Sequence, residues 1–169
     1  MIHPWARFTE QGSPLEGIYG KELSWECLRL RSVQFRPAGP AVYLRGDLPD
    51  FPPNPPSAWR EANCDTVQVS LEFTAVEDMQ GSISGLPQQV RITGESRDHG
   101  MALFWIVGSN YTMQYTAIGK VRVGHVSAYR QSDDADGAEH VRHYFLGKID
   151  SLIYREIPEP WIEAFHGKI

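Results

Sequence analysis

Thr66-Val67-Gln68-Val69-Ser70-Leu71-Glu72-Phe73-Thr74 is the stretch on which the fold turns. Val67, Val69, Leu71 and Phe73 alternate with Gln68, Ser70, Glu72 and Thr74, the period of two that a β-strand imposes. A helix would scatter these residues around its surface. One apolar and one polar face predict an antiparallel strand with one side buried and the other wet.

The same period recurs on both sides of it. Cys27-Leu28-Arg29-Leu30-Arg31-Ser32-Val33-Gln34-Phe35 alternates, but the phase slips, because Val33 and Phe35 fall on the arginine face. That slip predicts a bulge near Ser32. Pro37-Ala38-Gly39-Pro40 is a turn, and Ala41 to Leu48 is a second strand closing a hairpin. Further strands are expected over residues 89–95, 101–108, 111–118 and 120–130, with Ser109-Asn110 as a candidate hairpin turn in which Asn110 is able to take positive φ. Residues 140–157 read as two more strands around Gly147-Lys148, with a helix as the alternative. Short helical pieces are expected at the N-terminus, around Trp5, Phe8, Leu15, Ile18 and Tyr19, with Gly20 as a stop. Another is expected from Pro158 to Gly167. The fold class is therefore mainly β (α+β): antiparallel sheets forming a sandwich or open barrel, with short terminal helices.

One segment resists both periods. Asp50-Phe51-Pro52-Pro53-Asn54-Pro55-Pro56 contains four prolines, which remove four backbone donors and hold the chain near polyproline II. It reads as a stiff loop fastened by Phe51 and Trp59.

A chain of 169 residues buries about 70% of its unfolded surface, enough for one core, and is read as a single domain over 1–169. The longest apolar run, Met101 to Val107, is far short of a bilayer span. No basic, apolar signal segment opens the chain, which reads as cytoplasmic. Cys27 and Cys64 have neither zinc-site nor disulfide-framework spacing, and buried free thiols are expected.

The net charge of −5 is uneven: residues 41–80 carry −5 and residues 131–169 carry −4, while residues 81–130 carry +3. Such a chain gains nothing from its field toward phosphate backbones, so direct nucleic-acid binding is not expected. A basic protein partner would be steered toward the acidic stretches. A solvated acidic face kept for solubility is the plainer alternative.

No catalytic constellation emerges. Asp133-Asp134-Ala135-Asp136-Gly137 opens like a calcium loop, but His143 stands where the closing glutamate belongs. His140 and His143, three apart, point to opposite faces of a strand, which argues against a shared metal. There is no G-x-S-x-G elbow and no glycine-rich phosphate loop. Neither a catalytic residue, a metal nor a cofactor is therefore assigned. Distant carboxylates and histidines meeting in space leave a hydrolase as a further possibility.

The order of motifs between Leu15 and Arg130 resembles a known family. It comprises Leu15-Glu16-Gly17-Ile18-Tyr19-Gly20, Leu28-Arg29-Leu30, and then Val42-Tyr43-Leu44-Arg45-Gly46-Asp47-Leu48-Pro49-Asp50-Phe51-Pro52. Pro55-Pro56 with Trp59, Asp65 to Leu71, and Ser127-Ala128-Tyr129-Arg130 follow. This pattern resembles the immunity protein 50 family of bacterial polymorphic toxin systems. The resemblance implies a β core over 15–130 with an additional segment over 131–169. It also implies a cytosolic antidote that binds a cognate toxin domain and does no chemistry, and the acidic stretches would suit a basic toxin such as a nuclease. Asp47, Asp50, Asp133, Asp134 and Asp136 are then the candidate partner contacts. The alternative is a small-ligand-binding β-barrel or sandwich, for which seven Phe, seven Tyr and five Trp would suffice to line a cavity.

Overall fold

The computed structural model describes residues 1–131 and 141–159. Among these, ten strands form one sheet: β1 (Ile2–Pro4), β2 (Cys27–Arg36), β3 (Ala41–Asp47), β4 (Thr66–Thr74), β5 (Glu77–Ile83), β6 (Gln88–Ser96), β7 (Met101–Gly108), β8 (Tyr111–Ile118), β9 (Arg122–Tyr129) and β10 (Tyr144–Phe145). The order is β10-β9-β4-β3-β2-β6-β7-β8-β5, with β1 also pairing β6, and every pairing between these strands is antiparallel. The sheet is open, the open-barrel arm of the expectation.

It is also rolled. β4 and β8 stand five strand steps apart, about 24 Å in a flat sheet. Yet the rings of Phe73 on β4 and Tyr115 on β8 have centroids 5.3 Å apart, and Phe104 on β7 lies 4.9 Å from Phe73. All three rings are fully buried. They meet edge to face, the arrangement aromatic quadrupoles favour. The roll brings the apolar faces of β4, β7 and β8 together, and Val67, Val69, Leu71, Ile92 and Ile106 complete one contiguous core.

The expected bulge is present. Leu30 pairs with Gly46 and Ser32 with Arg45, so Arg31 is the extra residue. It restores the phase: Val33 pairs Leu44 and Phe35 pairs Val42 on the face of Leu28 and Leu30, Val33 packing on the core and Phe35 reaching its exposed edge, while Arg31 and Ser32 lie on the other face. Gly46 is required where it stands. A Cβ there would lie 2.6 Å from the Leu28 side chain and 2.7 Å from the Arg29 carbonyl oxygen.

Two short helices shape one edge. Helix α1 (Glu16–Tyr19) stops at Gly20, whose φ of 94° is open to glycine at no steric cost. Helix α2 (Ser57–Glu61) follows the proline loop, and its Trp59 is fully buried against Phe51, ring centroids 6.3 Å apart. The loop is pinned at both ends, as expected.

Several expectations are corrected. The outer face of β4 is not wet: Gln68 and Ser70 are buried there. Residues 140–157 do not give two full strands, since only β10 forms and helix α3 (Lys148–Ile153) follows it. The β7–β8 hairpin does turn at Ser109-Asn110, with Asn110 outside the positive-φ region that it could have used. Cys27 and Cys64 are both free, but only Cys64 is buried. Strands β1 and β5 were not foreseen. The helix expected from Pro158 to Gly167 lies mostly outside the described residues.

The Gly46→Ala variant should lose about 2 kcal/mol of stability through overpacking against Leu28 and the β2 backbone. Urea unfolding checks this: the midpoint falls while the slope stays constant.

Candidate functional site

The bulge in β2 has a chemical consequence. Arg31 reaches over β3, where its Nε donates to Asp47 Oδ2 at 2.7 Å, with both side chains almost wholly out of water. A second guanidinium nitrogen donates to the Tyr129 hydroxyl at 2.7 Å, and that hydroxyl donates to the same Asp47 oxygen at 2.9 Å. Gln68 Nε2 donates to Asp47 Oδ1 at 3.0 Å. Arg45 donates to the Gln68 amide oxygen and to Ser32 Oγ at 3.4 and 3.1 Å. Four strands, β2, β3, β4 and β9, each contribute a side chain. A buried charge is tolerated only when paired and hydrogen-bonded, and here both conditions hold.

Burial works against the Arg31 charge, but Asp47 and the Tyr129 hydroxyl outweigh it and hold the guanidinium above its ordinary value. Burial, and next the Asp47 carboxylate, push the Tyr129 phenol up.

Residues 141–159 cover this face beyond β9. β10 pairs β9, Asp150 on α3 is fully buried with its carboxylate 3.3 Å from His125 Nδ1, and His143 Nδ1 lies 2.8 Å from Ser127 Oγ. A serine against a histidine nitrogen is the geometry of an activated nucleophile. Here both groups are enclosed: Ser127 is 3% exposed, His143 2%, and the Tyr129 ring leans on the imidazole at 5.0 Å. The pair holds β9 to residues 141–159. A cleft of about 480 Å³ lies elsewhere, lined by polar residues such as Arg7, Gln11, Glu16 and Lys21. Among the described residues no cluster of histidine, cysteine and acid is placed to hold a metal.

The sequence-derived contacts are thereby sorted. Asp47 is buried, and its carboxylate is committed to Arg31, Gln68 and Tyr129. Asp50 is exposed, but it is not loose. Its carbonyl accepts from the Tyr19 hydroxyl at 2.7 Å and its carboxylate accepts from Trp25 Nε1 at 3.2 Å. Trp25 in turn stacks on Trp5 and meets Tyr19 edge-on, with centroids 6.1 and 4.6 Å away. Asp50 therefore fixes the proline loop against α1 and the entry to β2. Asp133, Asp134 and Asp136 lie outside the described residues, as does His140. Sequence reading missed Arg31, Gln68 and Tyr129, and the phase slip at Ser32 was the signal that an arginine had changed its environment.

Removing one partner of the buried pair should be worse than removing both. Asp47→Ala is expected to cost about 3–5 kcal/mol, because it strands the Arg31 charge. The double variant Asp47→Leu with Arg31→Met should cost less than that single change, and urea unfolding of all three forms measures it. Alkali provides a second check. Burial raises the phenols of Tyr19, Tyr111, Tyr115 and Tyr129 above their ordinary value, with Asp50 adding to this at Tyr19 and Asp47 at Tyr129. The unfolded chain sheds these protons near pH 10 while the folded chain keeps them, so stability must fall as pH rises past about 10. Absorbance at 295 nm should show these tyrosines ionising together with unfolding.

No curated protein and no solved structure matches the chain. The family model for immunity protein 50 matches residues 12–129, from the turn before α1 to the last residue of β9. That span contains the proline loop, the bulge and all four strands of the polar network, and it ends before the covering residues 141–159. On this match over well more than half its length, the chain belongs to the immunity protein 50 family.

Proposed function

We propose that the protein neutralises a cognate toxin domain by binding it in the cytoplasm, without catalysis. The observation that carries the reading is the family match over residues 12–129. Three features of the molecule support it. The reactive-looking Ser127–His143 and His125–Asp150 pairs are enclosed in the interior. The proline loop is held at both ends by aromatic packing and hydrogen bonds, so docking against it costs little ordering entropy. The net charge of −5 favours encounter with a basic partner, of which a nuclease domain is one kind.

Co-expression is the test. The protein should restore growth to cells producing the toxin domain encoded beside its own gene, and the two should co-elute as a stable complex on a sizing column. Failure to bind any neighbouring toxin domain would sink the reading.

A further inference from the structure

The apolar run Met101 to Val107 is unusual for its position. β7 lies inside the sheet, between β6 and β8, and its Ala102, Phe104 and Ile106 are fully buried in the core. The alternate residues, Met101, Leu103, Trp105 and Val107, project from the other side of the sheet. An antiparallel strand with one solvated face should be polar there. β6 and β8 obey that rule, with Arg91 and Thr93 on one flank and Thr112, Gln114 and Thr116 on the other. β7 does not.

Among the described residues this face keeps apolar side chains in contact with water, while Met101, Leu103 and Trp105 at its centre are half-buried. Val107 is 49% exposed, Ile118, which pairs with Met101, is 39% exposed, and Ile2 on β1 is 59% exposed. Leu103 and Trp105 are half-buried beside their sheet neighbours: Trp105 pairs with Thr93 and Gln114, Leu103 with Glu95 and Thr116. The charges around the ridge are mostly cancelled within the chain. Arg91 pairs with Glu26 at 3.4 Å, and Arg97 with Glu95 at 2.8 Å. Beyond β8, Glu77 and Asp78 on β5 leave an exposed acidic border. The face is thus a rigid apolar ridge centred on a tryptophan, a band of uncharged Thr and Gln, and acid along one edge. Interface cores have this composition: depleted of charge, with tryptophan as the commonest anchor.

We infer that the outer face of β6, β7 and β8, centred on Trp105, is the surface that receives the toxin domain, and that the toxin presents to it an apolar patch with a basic flank opposite Glu77 and Asp78. The inference rests on the proposed function for its partner. The composition of the face supports a heterologous, separable partner over a permanent second copy. Threonine and glutamine are interspersed throughout, as in a surface that must also stand in water, whereas obligate homodimer interfaces are more continuously apolar.

The test uses the full chain and the toxin domain encoded beside it, with affinity measured by titration calorimetry. Trp105→Ala should weaken binding at least ~30-fold, and Val107→Lys at least ~10-fold, with unchanged circular dichroism. Leu152→Lys, an exposed position on α3, should bind as the parent does. A folded Val107→Cys variant should react readily with a maleimide when free, read at the peptide level, and be protected in the complex. Equal affinity for the parent, Trp105→Ala and Val107→Lys overturns this proposal while leaving the immunity function standing. Absence of binding by the parent overturns that function and this proposal with it. Protection of position 107 in the free monomer assigns the face to another segment of this chain. A concentration-dependent dimer that Val107→Lys dissociates assigns it to a second copy. Either result overturns the toxin as occupant.

Discussion

A single charge pair organises the outer layer of the molecule. Arg31 and Asp47 cannot both leave water unless each is fully satisfied, and satisfying them recruits Gln68 from β4 and Tyr129 from β9. The requirement therefore reinforces the register of four strands that the buried apolar face already specifies. It also explains the bulge. Without the extra residue, Arg31 would follow Leu30 on a regular pleat and the rest of β2 would turn Val33 and Phe35 away from the core. One irregularity in the backbone thus reconciles a buried ion pair with a continuous apolar face.

The legible parts of the fold are those where one residue type repeats at a fixed period. β4, β6 and β8 were readable because alternation needs no knowledge of neighbours, and β7 because its apolar run has the length of a strand. β5 was not, since Glu77-Asp78-Met79-Gln80-Gly81-Ser82-Ile83 carries no alternating apolar set and Asp78 takes positive φ. It is a strand because β8 offers it a partner. β1 is too short, and ends in proline. The burial of Asp47 was not legible for a related reason. In Asp47-Leu48-Pro49-Asp50 it has the composition of a loop, while the groups that bury it lie 16 and 82 positions away in the chain. Contacts at such separations leave no local trace beyond the slip at Ser32.

Acidic segments therefore mean different things in one molecule. Within residues 41–80 the carboxylates include one locked inside, one pinning a loop, and two along the free edge of β5. Segment charge locates a field, and the fold decides which of its sources face a partner. The proline loop, which the sequence marks as a stiff insertion, is better understood as an anchored strap. Its aromatic residues are spent on the core, and its exposed aspartate is engaged by Trp25 and Tyr19.

The two-faced strand β7 has a consequence for the chain before it folds. Residues 101–107 are seven apolar positions with no charge and no proline, rich in residues that favour strands, the composition from which cross-β assemblies grow. Folding conceals half of that segment, and what remains uncovered is the ridge at Trp105. Arg97-Asp98-His99-Gly100 on one side and Ser109-Asn110 on the other act as gatekeepers, interrupting the run with charge and turns. Solubility during synthesis thus depends on the residues that flank the strand, because the strand itself retains the outward apolar character that a polar replacement would have removed.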